Sequence, residues 1–529
     1  MPTNLLALND DVLAILVSFL SCADAHQLSY TTRAIHDVAT HRALHSVTLR
    51  SFPRVVKFCT YMLDNMRHRR TAIHELRIHC YIVPAPEAIN TSRTAETYAE
   101  GGGLLTRLLQ GATCLRIFAL DCAEYWMEYQ TRLVDVLSSM THLTELELQV
   151  VGPNASRLIN GMQSTPRKLV FKAPRRRGPA NRQALPVGAK LELGSQLRIT
   201  SVVHLAAMDP ANQSELADLA RIFPGTRSLD IRLEYSPPVR RGQPIPTIQW
   251  AALEYIRGPG FSLAKWRNVT GVHLLELVVE HSRQFNDYSI GLAAIAAVTN
   301  FQPVALVVRM DSTLNHDFWK QLIRSSERLR YLAVTADKPR CAKRSHESGI
   351  ACTFSTYVRM TRAEQNYIAK WWGKFSQITK SWQIAELSRI VCLEIRCPLR
   401  RESQWEYKAG ATGAFDLDVP SFEDPIYRAF PVSVRDTAPT LSYLSLDLSP
   451  EGESPWRYNF LEPEHSLEGI LPLDLRWWRF EGTSNSRSVK VLDAAKGERI
   501  AAHLRSTRCD SSRPFSGSCV PHTYGFCVH

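Results

Sequence analysis

Cys509, Cys519, His522, Cys527 and His529 crowd the end of the 529-residue chain and are of the types that ligate soft metals. Structural zinc sites draw closely paired Cys and His ligands into a tetrahedron. No Cys-x-x-Cys pair occurs anywhere in the sequence, so the tail reads as metal-free. The chain also lacks the Gly-x-x-x-x-Gly-Lys-Ser/Thr and Gly-x-Gly-x-x-Gly phosphate-binding patterns, the His-Glu-x-x-His zinc helix and the Gly-x-Ser-x-Gly nucleophile elbow. Gly101-Gly102-Gly103 precedes Leu104-Leu105 and reads as a flexible turn at a helix start, a place where an anion could also sit. Without a catalytic motif or cofactor signature, the chemistry left to this chain is adhesion, and it reads as a non-catalytic protein.

The bulk composition agrees with a folded, water-facing chain. Apolar residues make up 45% and charged residues 22%, ordinary values for globular proteins. No run of 18 apolar residues is present, and Asp10 and Asp11 stand where a secretory leader would be cationic. The expectation is an intracellular protein, cytoplasmic or nuclear, with no membrane partner. Twelve cysteines at irregular spacing, among them Cys59, Cys114, Cys122 and Cys392 in apolar surroundings, read as reduced core thiols. The net charge of +12 admits acidic partners, including nucleic acid. Its densest cluster, Lys172, Arg175, Arg176, Arg177 and Arg182, is threaded with Pro174, Gly178 and Pro179 and reads as a solvated loop.

From Leu8 onward, Val12, Leu13, Ile15, Leu16, Phe19 and Leu20 recur at helical spacing and form one wide apolar stripe. Asn9 can cap that helix, and Asp10 and Asp11 fall in its first turn, where negative charge suits the helix dipole. Ser21 and Asp24 form a capping-box-like pair that opens a second helix carrying Ala25 and Leu28. A third helix is predicted around Thr32 to Thr40, with Ala34, Ile35, Val38 and Ala39 closing a small cluster.

Leu8, Asp11-Val12-Leu13, Ile15, Phe19-Leu20, Asp24, Leu28 and Arg33 resemble the F-box. That family binds the Skp-type linker subunit of cullin-based ubiquitin ligases. The resemblance implies that Leu8, Val12, Leu13, Ile15, Leu16, Phe19, Leu20 and Leu28 bind the linker, and through it a cullin. Where the family usually has Pro after the first Leu, Leu after the Asp of helix two and Trp in helix three, this chain has Asn9, Ala25 and small or His residues near Ile35-His36.

Further along, the template apolar-x-x-Leu-x-apolar recurs as Ile73-Leu76-Ile78, Leu143-Leu146-Leu148, Val272-Leu275-Leu277, Leu329-Leu332-Val334, Ile390-Leu393-Ile395 and Leu441-Leu444-Leu446. Variants start at Leu115, Thr226 and Pro303. Helical periodicity precedes several of them, at 131–140, 214–223, 288–299 and 316–325, with breaks at Pro224-Gly225 and Phe301-Gln302-Pro303. One short strand with one helix cannot close a core, so such units must stack.

This pattern resembles the irregular leucine-rich repeats that follow F-boxes, particularly in fungal proteins, although the Asn that usually follows the repeat core is absent. The expected fold is α/β: a three-helix F-box-like module at 1–48, a curved solenoid of parallel short strands with helices on the outer side at 49–505, and a disordered tail at 506–529. The Pro-, Gly- and Arg-rich stretches near 173–189, 236–246, 338–348 and 399–425 read as projecting loops. Trp371-Trp372 and Trp477-Trp478 each read as one core residue beside one surface residue, with Trp405 and Trp456 isolated. The function implied is that of a substrate-recognition adaptor of a Skp-cullin-F-box ubiquitin ligase, holding an unknown protein substrate. A repeat scaffold without ligase attachment and a basic nucleic-acid-binding protein are the alternatives.

Overall fold

The computed structural model describes residues 8–336 apart from 65–66, 81–91, 173–192, 195–196, 209–212, 233–249, 251–252, 265, 267–271, 280–286 and 311–315, together with 390–396, 431–447 apart from 433, 436–437 and 439, and 475–482 and 486–506. The four proline- and arginine-rich stretches, Trp371-Trp372, Trp405, Trp456 and the tail beyond Ser506 lie outside the described residues. The chain divides into two compact units, the first spanning 1–226 with 232–239 and the second 227–231 with 240–529.

The first unit opens with three helices, α1 (Asp10–Ser18), α2 (Cys22–Ser29) and α3 (Arg33–Ala43). It continues with strands β1 (Ser46–Leu49), β2 (Glu75–Ile78), β3 (Ile117–Leu120), β4 (Glu145–Gln149), β5 (Lys168–Lys172) and β6 (His204–Met208). Each strand pairs in parallel with the next in sequence. In the second unit β7 (Ser228–Arg232), β8 (Tyr255–Pro259), β9 (Leu274–Val279), β10 (Ala305–Met310), β11 (Tyr331–Ala336), β12 (Cys392–Arg396) and β13 (Tyr443–Asp447) repeat that parallel, sequential pairing. Helices fill most of the connections, as parallel strands require.

One hydrogen-bond device repeats at almost every step. The carbonyl just ahead of a strand accepts two successive amides of the next: His45 O from His74 and Glu75, His74 O from Arg116 and Ile117, and Arg116 O from Thr144 and Glu145. In the second unit, His273 O takes Val304 and Ala305, and Val304 O takes Arg330 and Tyr331. This fixed start sets the register, and the register aligns the sequence template. Leu76, Phe118, Leu146 and Leu169 stand in one row. Leu275, Leu306, Leu332, Leu393 and Leu444 stand in another. These leucines are at most 2% exposed, so the stacked units bury them as a shared seam.

All nine template matches fall on strands. β1, β5, β6 and β8 were not among them, and β5 and β6 account for the wide interval between the matches at 143 and 226. β11 and β12 pair directly. Left-handed residues stand at equivalent places after two of the strands: Cys122 (φ 55°) two residues past β3 and Val150 (φ 60°) one residue past β4. Both stand two positions beyond the paired residues Leu120 and Leu148.

Three expectations change. Gly101-Gly102-Gly103 lies inside the helix Ser92–Gly111, not at its start. A Cβ at Gly101 would run into the Phe52 ring, and one at Gly102 would come within 2.8 Å of Gln130, so these glycines admit close packing instead of an anion. Trp477 and Trp478 are both buried, at 0% and 4% exposure, because both faces of their strand are covered. Finally, the ladder does not end in parallel. β14 (Leu475–Glu481) runs antiparallel to β13, and β15 (Ser488–Leu492) runs antiparallel to β14. The helix Ala494–Arg505 that follows lies on the face opposite the leucine seam, seated there by Ile500, Ala501 and Leu504.

Candidate docking surface

α1 begins where Asn9 accepts a hydrogen bond from the Val12 amide at 2.8 Å, satisfying one of the unpaired donors of the first turn. α2 begins with Ser21, whose oxygen accepts from the Asp24 amide at 3.1 Å and whose hydroxyl donates to the Asp24 carboxylate at 2.7 Å. α3 is tied back to the first helix by Arg42, whose Nε donates to the Leu20 carbonyl at 2.9 Å. The core of the three helices is Leu13, Val17, Ala25, Ile35 and Ala39, with Leu20, Leu28, Val38 and Ala43 packed at its margin. Ala25 is 0% exposed, so a side chain as small as methyl fills that place in this tight cluster.

The helical repeat explains how α1 serves two faces. Leu13, Val17 and Leu20 follow the i, i+4, i+7 rule and turn inward; Val12, Ile15, Leu16 and Phe19 follow i, i+3, i+4, i+7 one step round the helix and turn outward. Phe19 is 80% exposed, Ile15 58%, Leu16 43%, Val12 38% and Leu8 38%. Of the eight residues assigned to linker docking, five are therefore on the surface as a contiguous apolar patch. Leu13 is spent on the module's own core, and Leu20 and Leu28 line the margin of that core. Sequence periodicity could not divide the stripe, because an amphipathic helix and a helix apolar on two adjacent sides give the same list of residues. Tyr30, 70% exposed, with its ring edge on His26, is a further surface aromatic of the module that periodicity passed over.

Burial pushes the thiols of Cys59, Cys80 and Cys122 up to about 12, which keeps them protonated and unreactive. Among the described residues no helix is long and apolar enough to cross a membrane.

Comparison with known proteins adds little to this geometry. No family model and no curated protein matches the chain. Among solved structures it is similar to a chain in the crystal structure of the Rad7 and Elc1 complex in yeast, at 12% identity and a TM-score of 0.26, over 65% of this chain and 92% of that one. A score that low carries no argument, and none is drawn from it. The chain is mixed α/β, its strands paired in sequence order and preceded by a helical module with an uncovered apolar face.

Proposed function

We propose that this chain is a substrate-recognition adaptor of a Skp-cullin-F-box ubiquitin ligase. α1 docks on a Skp-type linker subunit and through it on a cullin, while the strand ladder holds a protein target. The chain performs no bond chemistry in this reading. Tethering raises the concentration of target lysines around a ubiquitin-charged enzyme, and that is the whole of its contribution.

The observation that carries the reading is the outward patch of Leu8, Val12, Ile15, Leu16 and Phe19. A helical cap closing the end of a repeat array would lay such residues on the array, whereas here they face away from the chain. Burying each of them fully is worth about 1.5–3 kcal/mol, set against roughly 4–15 kcal/mol for lost freedom on association. A patch of this size is thus of the right order to support docking, and its sequence resembles the F-box at the positions that meet the linker.

Co-purification of the full chain with a Skp-type linker tests the reading, with Leu16→Asp in parallel. Leu16 is on the surface, so the variant is expected to keep its helical circular dichroism and lose capture. No capture by a folded wild-type chain would sink ligase attachment and leave a repeat scaffold.

A further inference from the structure

On the first unit's inner face the charges satisfy one another: Arg77 meets Glu75 and Glu147, Lys168 meets Glu145, and His79 stands 3.4 Å from the buried Asp121. The edge where the strands begin is different. The turns leading into β1–β5, residues 41–45, 67–74, 112–116, 140–144 and 162–167, carry six arginines and five histidines and not one Asp or Glu. Asp64 precedes the second of these turns, and Glu75 and Glu145 follow two of them, already held by Arg77 and Lys168.

Backbone bonds make these turns one continuous strip. The Thr144 carbonyl takes the Arg167 and Lys168 amides, just as those of His45, His74 and Arg116 each take two amides of the next turn. His45, His74, Arg116, Thr144 and Arg167 therefore follow one another along the edge at about 4.8 Å per step. The His45 and His74 rings stack at 4.2 Å. Arg70 lies against the end of the helix Ser92–Gly111, where a Cβ on Gly111 would come within 2.7 Å of its guanidinium.

Part of this charge holds helix ends: Arg42 donates to the Leu20 carbonyl, and Arg69 to that of Tyr61 at 3.4 Å. Arg116 and Arg167 have no such task. Both are exposed, and neither guanidinium has a hydrogen bond or ion pair with a described residue. The surrounding field is felt by His45, whose imidazole is held below its usual range by burial first and then by His74 and Arg42, with Glu75 acting the other way.

We infer that this entry edge is the docking strip for an acidic segment of a protein target, with Arg116 and Arg167 as its anchors. The inference deepens the adaptor reading, on which the word target rests. The two anchors are two ladder steps apart, roughly 10 Å, which about three residues of an extended acidic segment span. Nucleic acid fits less well. Single strands stack their bases on aromatic rings, and the five turns hold no Phe, Tyr or Trp, while the nearby Tyr61 ring is already covered by Arg69 at 4.2 Å.

Fluorescence polarisation on the full-length chain tests this, with a labelled oligoglutamate peptide as probe and single-stranded oligothymidylate beside it. The wild type is expected to bind the peptide at low salt and to lose it as salt rises. Arg116→Glu combined with Arg167→Glu should weaken that binding about tenfold or more. Arg50→Glu with Arg132→Glu makes the same change in net charge at exposed places, just past β1 and at the start of the helix Arg132–Ser139. That control should shift affinity less than about twofold. A wild type that does not bind the peptide would overturn the strip, as would equal weakening by the two double variants, which would reduce it to net charge. Tighter binding of oligothymidylate, lost in the edge variant, would overturn the protein target in favour of nucleic acid. Capture of the Skp-type linker by the same preparations reports on α1 alone: its failure would sink ligase attachment and leave the strip, whereas loss of peptide binding with capture intact would sink the strip alone.

Discussion

The two units treat the same face of the same kind of ladder in opposite ways. In the first, the rows opposite the leucine seam carry Glu75, Arg77, Glu145, Glu147 and Lys168, whose side chains keep between 15% and 30% exposure. Lys168 meets Glu145 at 2.7 Å, and Arg77 reaches Glu147 at 3.8 Å across the small Ala119 between them. Water screens these pairs. In the second unit, the corresponding rows bring Tyr255, Tyr331, Tyr443 and Trp477 under a helix together with Glu394, Arg396 and Asp447. Under that helix a charge left without a partner is costly, whereas Arg257 and Arg309 of the same face, paired with Glu276, keep 30% and 27% exposure. Parallel pairing, then, sets the scaffold alone; whether the opposite face is a wet charged surface or a second core depends on what the chain lays over it.

The comparison is most exposed to failure at Trp477. Trp477→Ala is expected to cost about 3–5 kcal/mol in chemical denaturation, whereas Arg77→Ala on the first unit's wet face should cost about 0–1 kcal/mol. Equal losses would erase the distinction between the faces. Within the helical module the same contrast is drawn on one helix: Leu13→Ala should cost about 2–5 kcal/mol, and Leu16→Ala should stay within about 0.5 kcal/mol, both read by thermal melting in the absence of partners. Gly497→Ala sharpens the picture further. It gains about 1 kcal/mol of helix propensity but forces a methyl into the Trp477 ring, for which about 1–3 kcal/mol of overpacking is expected. Net loss of amide protection in 497–505 would show that contact with the indole governs the seating of that helix. The smallest effect concerns salt: raising ionic strength should weaken the Lys168–Glu145 pair, seen as a minor drop in the stability of the first unit, and leave the Arg396–Asp447 pair unmoved.

Much of the ladder was legible because its seam demands the same residues at every step. Ile73-Leu76-Ile78 and Leu441-Leu444-Leu446 obey one rule although they belong to different units. Of the strands that escaped notice, β5 (Pro166-Leu169-Phe171) and β6 (Val202-Leu205-Ala207) follow the rule and were passed over, whereas β1 and β8 depart from it. β1 has Val47 and β8 has Ile256 where most of the others have Leu, and β8 has Gly258, packed against Leu263, where the last apolar residue should be. The three helices of the module were legible from Asn9, Ser21 and Asp24, whose capping bonds are local. What could not be read was anything set by contacts distant in sequence. Gly101 and Gly102 look like a turn until Phe52 and Gln130 are brought against them. The helix at 494–505 looks like one more outer helix, because Gly497, Glu498 and Arg505 reveal their partners only when β11, β12 and β14 are in place. The outward apolar patch of α1 was legible as a list and not as a surface, since Leu13 and Leu16 differ only in which way the helix turns them.

The reversal at β14 has a consequence for how this chain can change in length. A parallel ladder is open to growth by insertion: a new strand-and-helix unit offers the same donors and acceptors as its neighbours and slots between any two. After Asp447 the pattern changes, because β14 runs the other way and β15 runs antiparallel to β14. A duplicated unit fits between parallel neighbours upstream of β13, whereas one placed directly after β13 would have to displace the antiparallel β14.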